Sequence, residues 1–285
     1  MGHAVGLLEG HPPFAPLRLR SLDVIGQEGV ALPPALTAAL ADARLHPEMD
    51  QLQLRHADFR APGALDAVAD AAVARTCLLF LFFHHCALSP AAAPALARVL
   101  RHSAQLALLL LHGGAATILD AAGAATIGDA LRASDTLEYL ALLELPQLSA
   151  HAVTSFVGAL VGHRSLRVLD LRGTIVEDPA AAGVALAALL AADAPVLEDL
   201  RVPGCGLGGA GLGPLLDALQ HNSCLRKLDI RGNGVPAGFM RGRLLPAVRA
   251  NTSLRVLRIY DENEVINDED EGSTVDEAQR IIAAH

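Results

Sequence analysis

Two pairs of histidines stand at matching places in neighbouring stretches of the chain, His56 with His85 and His84 with His112. Imidazoles so placed approach the spacing of metal ligands once their segments lie side by side, and borderline divalent ions favour nitrogen donors. The neighbouring outward slots carry no carboxylate or thiol, since Cys86 is expected to point to the other side, so the pairs read as surface histidines. The run Gly204 to Gly209, GCGLGG, matches the glycine pattern that cradles a dinucleotide pyrophosphate. The equivalent turns RGTIVED and RGNGVPA lack those glycines, which makes the match a property of one turn in a repeating structure. No GxxxxGK(S/T), GxSxG or HExxH occurs, and the acidic run DENEVINDEDE does not follow a calcium-loop spacing. The expectation is therefore no catalytic group, no metal and no cofactor.

The elements that must position these residues repeat. The segments LRVLDLRGTIV, LEDLRVPGCGL, LRKLDIRGNGV and LRVLRIYDENE superpose without a gap and share LxxLxLxx(N/C/T)x(L/V). The same register starts at Leu19, Met49, Leu78, Leu106, Leu137, Leu166, Leu197, Leu225 and Leu254, at intervals of 28 to 31 residues. Positions 4 and 6 of each repeat lie two residues apart and share one side of a short strand, while position 5 takes the other. After the strand, apolar residues recur at helical spacing, as at Leu212, Leu215, Leu216 and Leu219, or at Leu96, Val99 and Leu100. Ser89-Pro90 and Ser149 stand where helix N-caps are wanted.

A strand and a helix this short cannot bury their apolar faces alone, so neighbouring repeats must stack, strands on one side and helices on the other. Strands sit about 4.8 Å apart and helices nearly twice that, so the stack bends with its strands inside. The pattern, with the tail seen in LLDALQHNSCL and LLPAVRANTSL, resembles the ribonuclease-inhibitor-like leucine-rich repeats from about Leu19 to Ile259. The resemblance implies an α/β horseshoe of about nine repeats, parallel strands on the concave face and helices on the convex face. It also implies that the residue at position 9 bonds the turning backbone from inside. That residue is Asn233 in one repeat, Cys205 and Cys86 in two and Thr174 in another, but Gln27, Ala57, Gly114 and Leu145 elsewhere.

The chain divides into an N-terminal cap or tail (1–18), the solenoid (19–260), an acidic loop (261–272) and a C-terminal capping helix (273–285). The helix is read from a capping box, Thr274 with Glu277, because the last repeat would otherwise expose its core.

A hydrophobic fraction of 52% with 19% charged residues describes a chain that folds. Asp261, Glu262, Glu264, Asp268, Glu269, Asp270 and Glu271 account for most of the net charge of −9, which leaves the repeats nearly neutral. A sequence-independent grip on nucleic acid needs a strong basic surplus and is not expected. Four cysteines without a CxxC pair suggest neither a disulfide framework nor zinc and fit a reducing, intracellular setting. No apolar run is long enough to span a bilayer.

Positions 3, 5 and 7 face the concave surface. There Phe80, Phe82, His84, Leu108, Leu110, His112 and Tyr139 form an apolar and aromatic group, with Arg172, Arg201, Arg231 and Arg258 beside it among Asp170, Asp199, Lys227 and Asp229. A solvated strand would alternate, whereas CLLFLFF and LALLLL are apolar on both sides. Either the N-terminal HPPFAPL or irregular repeats account for that patch, or another protein covers it. The expected role is a protein-interaction module or scaffold subunit, free or within a larger assembly, with the charged ladder as a solvated rim. The alternative is a GTPase-activating protein similar to the Ran-activating family, whose repeats also precede acidic sequence.

Overall fold

Alternation of inward leucine with outward polar or aromatic residues produces short extended segments in the computed structural model, which describes residues 20–42, 47–113, 119–145, 148–193, 196–236, 238–260 and 269–284. The strands are β1 (Ser21–Ile25), β2 (Gln51–Arg55), β3 (Asp58–Phe59), β4 (Phe80–His84), β5 (Ala87–Leu88), β6 (Leu108–His112), β7 (Tyr139–Leu143), β8 (Val168–Asp170), β9 (Asp199–Arg201), β10 (Lys227–Asp229) and β11 (Val256–Arg258). All but β3 and β5 join one parallel sheet in sequence order, and β3 pairs with β5 separately. Between them run α1 (Pro34–Ala41), α2 (Asp66–Ala74), α3 (Ala93–His102), α4 (Ala121–Ala133), α5 (Ala150–Ala159), α6 (Pro179–Ala191), α7 (Gly208–Leu219) and α8 (Leu245–Ala250), and α9 (Glu269–Ala283) closes the chain. Each helix packs on the next in order. This is an α/β solenoid of leucine-rich repeats. The N-terminal segment 1–18, with HPPFAPL, lies outside the described residues.

The core follows the repeat. Leu52, Leu81, Leu109, Leu140, Leu169, Leu200, Leu228 and Leu257 stand in one register row across the sheet, and every one is buried. Met49, Leu78, Leu106, Leu137, Leu166, Leu197, Leu225 and Leu254 at position 1 are buried beside them. On the helical side α6 and α7 approach closely because Gly183 faces Gly211: a Cβ on Gly183 would stand 2.2 Å from the Gly211 carbonyl oxygen.

Buried polar side chains satisfy the turns between layers, as a buried backbone requires. Asn233 donates to the carbonyls of Val202 and Ile230 (both 2.8 Å) and accepts from the Leu207 amide (3.1 Å). Thr174 donates to Leu142 O (2.8 Å), Cys205 to Leu171 O (3.1 Å) and Cys86 to Leu54 O (3.3 Å). A second ladder lies after the helices. Asn251 donates to Leu219 O (2.8 Å) and Asn222 to Leu190 O (2.9 Å), while each side-chain oxygen accepts two backbone N–H groups of the segment leading into the next strand.

His163 takes the asparagine's place in the preceding part of this ladder. Its Nδ1 accepts from the amides of Ser165 (3.3 Å) and Leu166 (3.1 Å), so the proton sits on Nε2, which donates to Leu131 O at 3.0 Å. Burial lowers its pKa, because the charged ring would lose water and set a second N–H against two amide donors. The unfolded chain then binds the proton more tightly than the native one. Stability from this site is complete above the ordinary histidine range and falls as pH drops through it. His163→Asn offers the same acceptor and donor, as Asn222 and Asn251 do, without a titrating group. Urea midpoints measured at pH 7.5 and 5.5 are expected to differ less in that variant than in the parent chain.

Two helix starts differ from the sequence reading. Ser149 does accept from the Ala152 amide, at 3.2 Å, but the Ser89 hydroxyl donates to Arg60 O instead of capping its own helix. The last helix already includes residues 269–272, so Thr274, buried inside it, is no N-cap. The rest of the acidic stretch, 261–268, lies outside the described residues.

Candidate functional site on the open face of the sheet

Strand pairing sorts the outward side chains into rows. One row runs Ser21, Gln51, Phe80, Leu108, Tyr139, Val168, Asp199, Lys227, Val256, and the next runs Asp23, Gln53, Phe82, Leu110, Ala141, Asp170, Arg201, Asp229, Arg258. A third begins Ile25, Arg55, His84, His112, Leu143. The face thus reads polar, then apolar and aromatic, then charged. Phe80, Phe82, Leu108, Leu110 and Tyr139 are half-buried, neither core nor fully exposed. Phe82 stacks on His84 with centroids 5.9 Å apart and planes 9° from parallel, and Phe80 lies 6.5 Å from Phe82.

The charged end is not the solvated ladder that spacing suggests. Asp170, Asp199 and Asp229 are only 1%, 5% and 4% exposed. An arginine two residues on folds back over each: Arg172 on Asp170 (3.0 Å), Arg201 on Asp199 (2.6 Å) and Arg231 on Asp229 (2.8 Å). Most pairing is therefore within one repeat, with longer contacts between repeats from Arg201 to Asp170 (3.5 Å) and from Arg258 to Asp229 (3.9 Å). Carboxylates lie beneath and cations above. Arg172, Lys227 and Arg258 remain exposed, and a shallow hollow of about 150 Å³ opens among Asp199, Arg201, Lys227, Asp229, Val256 and Arg258.

Tyr139 joins the two halves. Its hydroxyl donates to Asp170 Oδ2 (3.3 Å) and accepts from Arg201 Nη1 (3.2 Å), and burial followed by the nearby Asp170 charge raises its pKa. Hydrogen bonding to Asp199 holds the Arg201 proton more firmly still. The hydroxyl stays protonated and this part of the surface is fixed before anything binds.

Along one rim the eighth residue of successive repeats has a left-handed backbone, which lets its N–H reach the carbonyl of the next strand. Gly113, Gly173, Gly204 and Gly232 hold this position at φ 57° to 67°, but His56, His85 and Glu144 adopt φ 53°, 50° and 52°. Left-handed geometry costs a residue with a Cβ about 1–2 kcal/mol. The non-glycine side chains gather with the outward histidines. His84 Nδ1 lies 3.5 Å from His112 Nδ1, His85 and His112 have centroids 4.6 Å apart, and His56 stacks on His85 at 5.5 Å. Glu144 Oε2 lies 3.2 Å from His112 Nε2, which corrects the expectation that no carboxylate neighbours these histidines. Burial chiefly, and then Arg55, lowers the His84 pKa. In the glycine-rich turn, the amides of Gly204, Leu207 and Gly208 already donate to Arg231 O, Asn233 Oδ1 and Asn233 O. No helix among the described residues is long and apolar enough to cross a membrane.

A family model described as leucine-rich repeat matches residues 221–235. No curated relative matches the sequence. Among solved structures, the repeat protein LegL7 of Legionella pneumophila aligns at 13% identity over 92% of this chain and 91% of its own, with a TM-score of 0.49. Human 5T4, also called Wnt-activated inhibitory factor 1, aligns at 20% identity over 86% of this chain and 82% of its own, TM-score 0.49. The tropomodulin C-terminal domain of Caenorhabditis elegans aligns at 13% identity over 67% and 93%, TM-score 0.38.

Proposed function

We propose that this protein is a non-enzymatic interaction module that holds another protein on the open face of its sheet, with repeats of the ribonuclease-inhibitor-like kind. The half-buried group Phe80, Phe82, Leu108, Leu110 and Tyr139, contiguous across β4, β6 and β7, carries the reading. Aromatic residues at the centre of a contact supply most of its energy while a polar rim selects orientation, and Arg172, Arg231 and Arg258 border this patch on one side. Arg201 contributes from below, already committed to its carboxylates.

Affinity capture with the full chain, run beside the Leu110→Asp variant and read by mass spectrometry, tests the proposal. A protein retained by the parent and lost by the variant supports it. Identical sets of retained proteins would argue that the patch is not the contact surface.

A further inference from the structure

The rim histidines have a geometry that the apolar patch does not explain. Two imidazoles bound to one tetrahedral ion at metal–nitrogen distances of about 2.0–2.1 Å stand about 3.3–3.4 Å apart. The Nδ1 atoms of His84 and His112 are 3.5 Å apart on paired strands. Behind His112, Glu144 Oε2 lies 3.2 Å from Nε2, and the Nε2–H tautomer that this carboxylate favours leaves a lone pair on Nδ1, beside His84. A carboxylate on the far nitrogen is the usual support of a metal-ligating histidine, since it fixes the tautomer and strengthens the donor.

From this arrangement we propose that His84 and His112 chelate a divalent late transition-metal ion through their two Nδ1 atoms, with Glu144 orienting His112 from behind. Neutral imidazole selects zinc, copper or nickel over calcium or magnesium. Among the described residues no group of three or more histidine, cysteine or acidic side chains gathers closely enough to hold an ion. The protein therefore supplies two ligands and water the others. Arg55 is the cation beside His84, and Asp23 pairs with it at 3.2 Å, which offsets its repulsion of an ion. Glu144 keeps its left-handed backbone where four other repeats use a left-handed glycine, as expected of a side chain that has work at that position.

The test is titration of the untagged full chain with zinc chloride by calorimetry at pH 7.5. One ion should bind per chain. His84→Ala and His112→Ala should each weaken binding at least tenfold, and Glu144→Gln, which touches no metal, about tenfold. His102→Ala and His221→Ala, remote exposed histidines, should bind as the parent does. Melting without metal checks each variant's fold, and His84→Gln replaces His84→Ala if alanine destabilises. No zinc uptake by the parent would mean that the two rings share only a proton. Parent-like affinity in both single histidine variants would place any bound ion elsewhere. Either result overturns the proposal.

Discussion

Phe82→Asp should abolish capture of the partner while the chain stays folded. The ring is half-buried, stacked on His84 and close to Phe80, so its replacement removes the centre of the apolar group and sets a hydrated carboxylate there. Loss of a central aromatic anchor removes about 2 kcal/mol or more of binding free energy. That corresponds to a loss of about 30-fold or more in affinity. The folded state loses less, about 1 kcal/mol, because the substitution faces outward and changes mainly strand preference. Capture and thermal melting on one preparation check both halves. A variant that melts far below the parent would show that Phe82 belongs to the core.

Leu228→Ala should do the reverse. Leu228 is 1% exposed and sits between Leu200 and Leu257 in the inward row, so truncation leaves a void that its in-register neighbours fill only in part. Large-to-small changes at such sites cost about 2–5 kcal/mol. In a stacked solenoid each repeat leans on its neighbours, so the loss should spread to the adjoining layers rather than stay local. Urea unfolding measures it, and a change within about 0.5 kcal/mol, the range of ordinary surface substitutions, would contradict the inward assignment.

The two predictions use the part of the fold most legible in the sequence. Leucines at positions 1, 4 and 6 must share one side because strand geometry alternates, and in the position 4 row Leu52 to Leu257 are all buried, with Leu22 at the sheet edge partly so. Position 9 was legible wherever it held a hydrogen-bonding side chain, as Asn233, Thr174, Cys205 and Cys86 show. Alternation says which way Asp170 points, but not that Arg172 folds back and shields it. Facing is a one-dimensional property, whereas burial depends on a rotamer two residues away. The role of His163 was hidden because a ring replaces the amide that marks that ladder, although both offer an acceptor to the strand and a donor to the helix end. The rim was hidden in the same way. A left-handed turn announces itself through glycine, and His56, His85 and Glu144 are not glycine. That is also why Glu144 escaped notice as the neighbour of His112.

The capping box failed for a different reason. Thr274 and Glu277 have the right spacing, but the helix already runs through residues 269–272 ahead of them. Spacing alone does not say whether the chain is already helical before a capping box, and Thr274 is buried within the helix.

The most direct test places a photo-activated crosslinker at Leu110 on the open face and, in a second chain, at Arg132 on the exposed side of α4. Illuminated in an extract of the source cells, the Leu110 position should yield a discrete adduct with another protein, and the Arg132 position should not. An adduct from Arg132 alone would put the working surface on the helices and contradict the account.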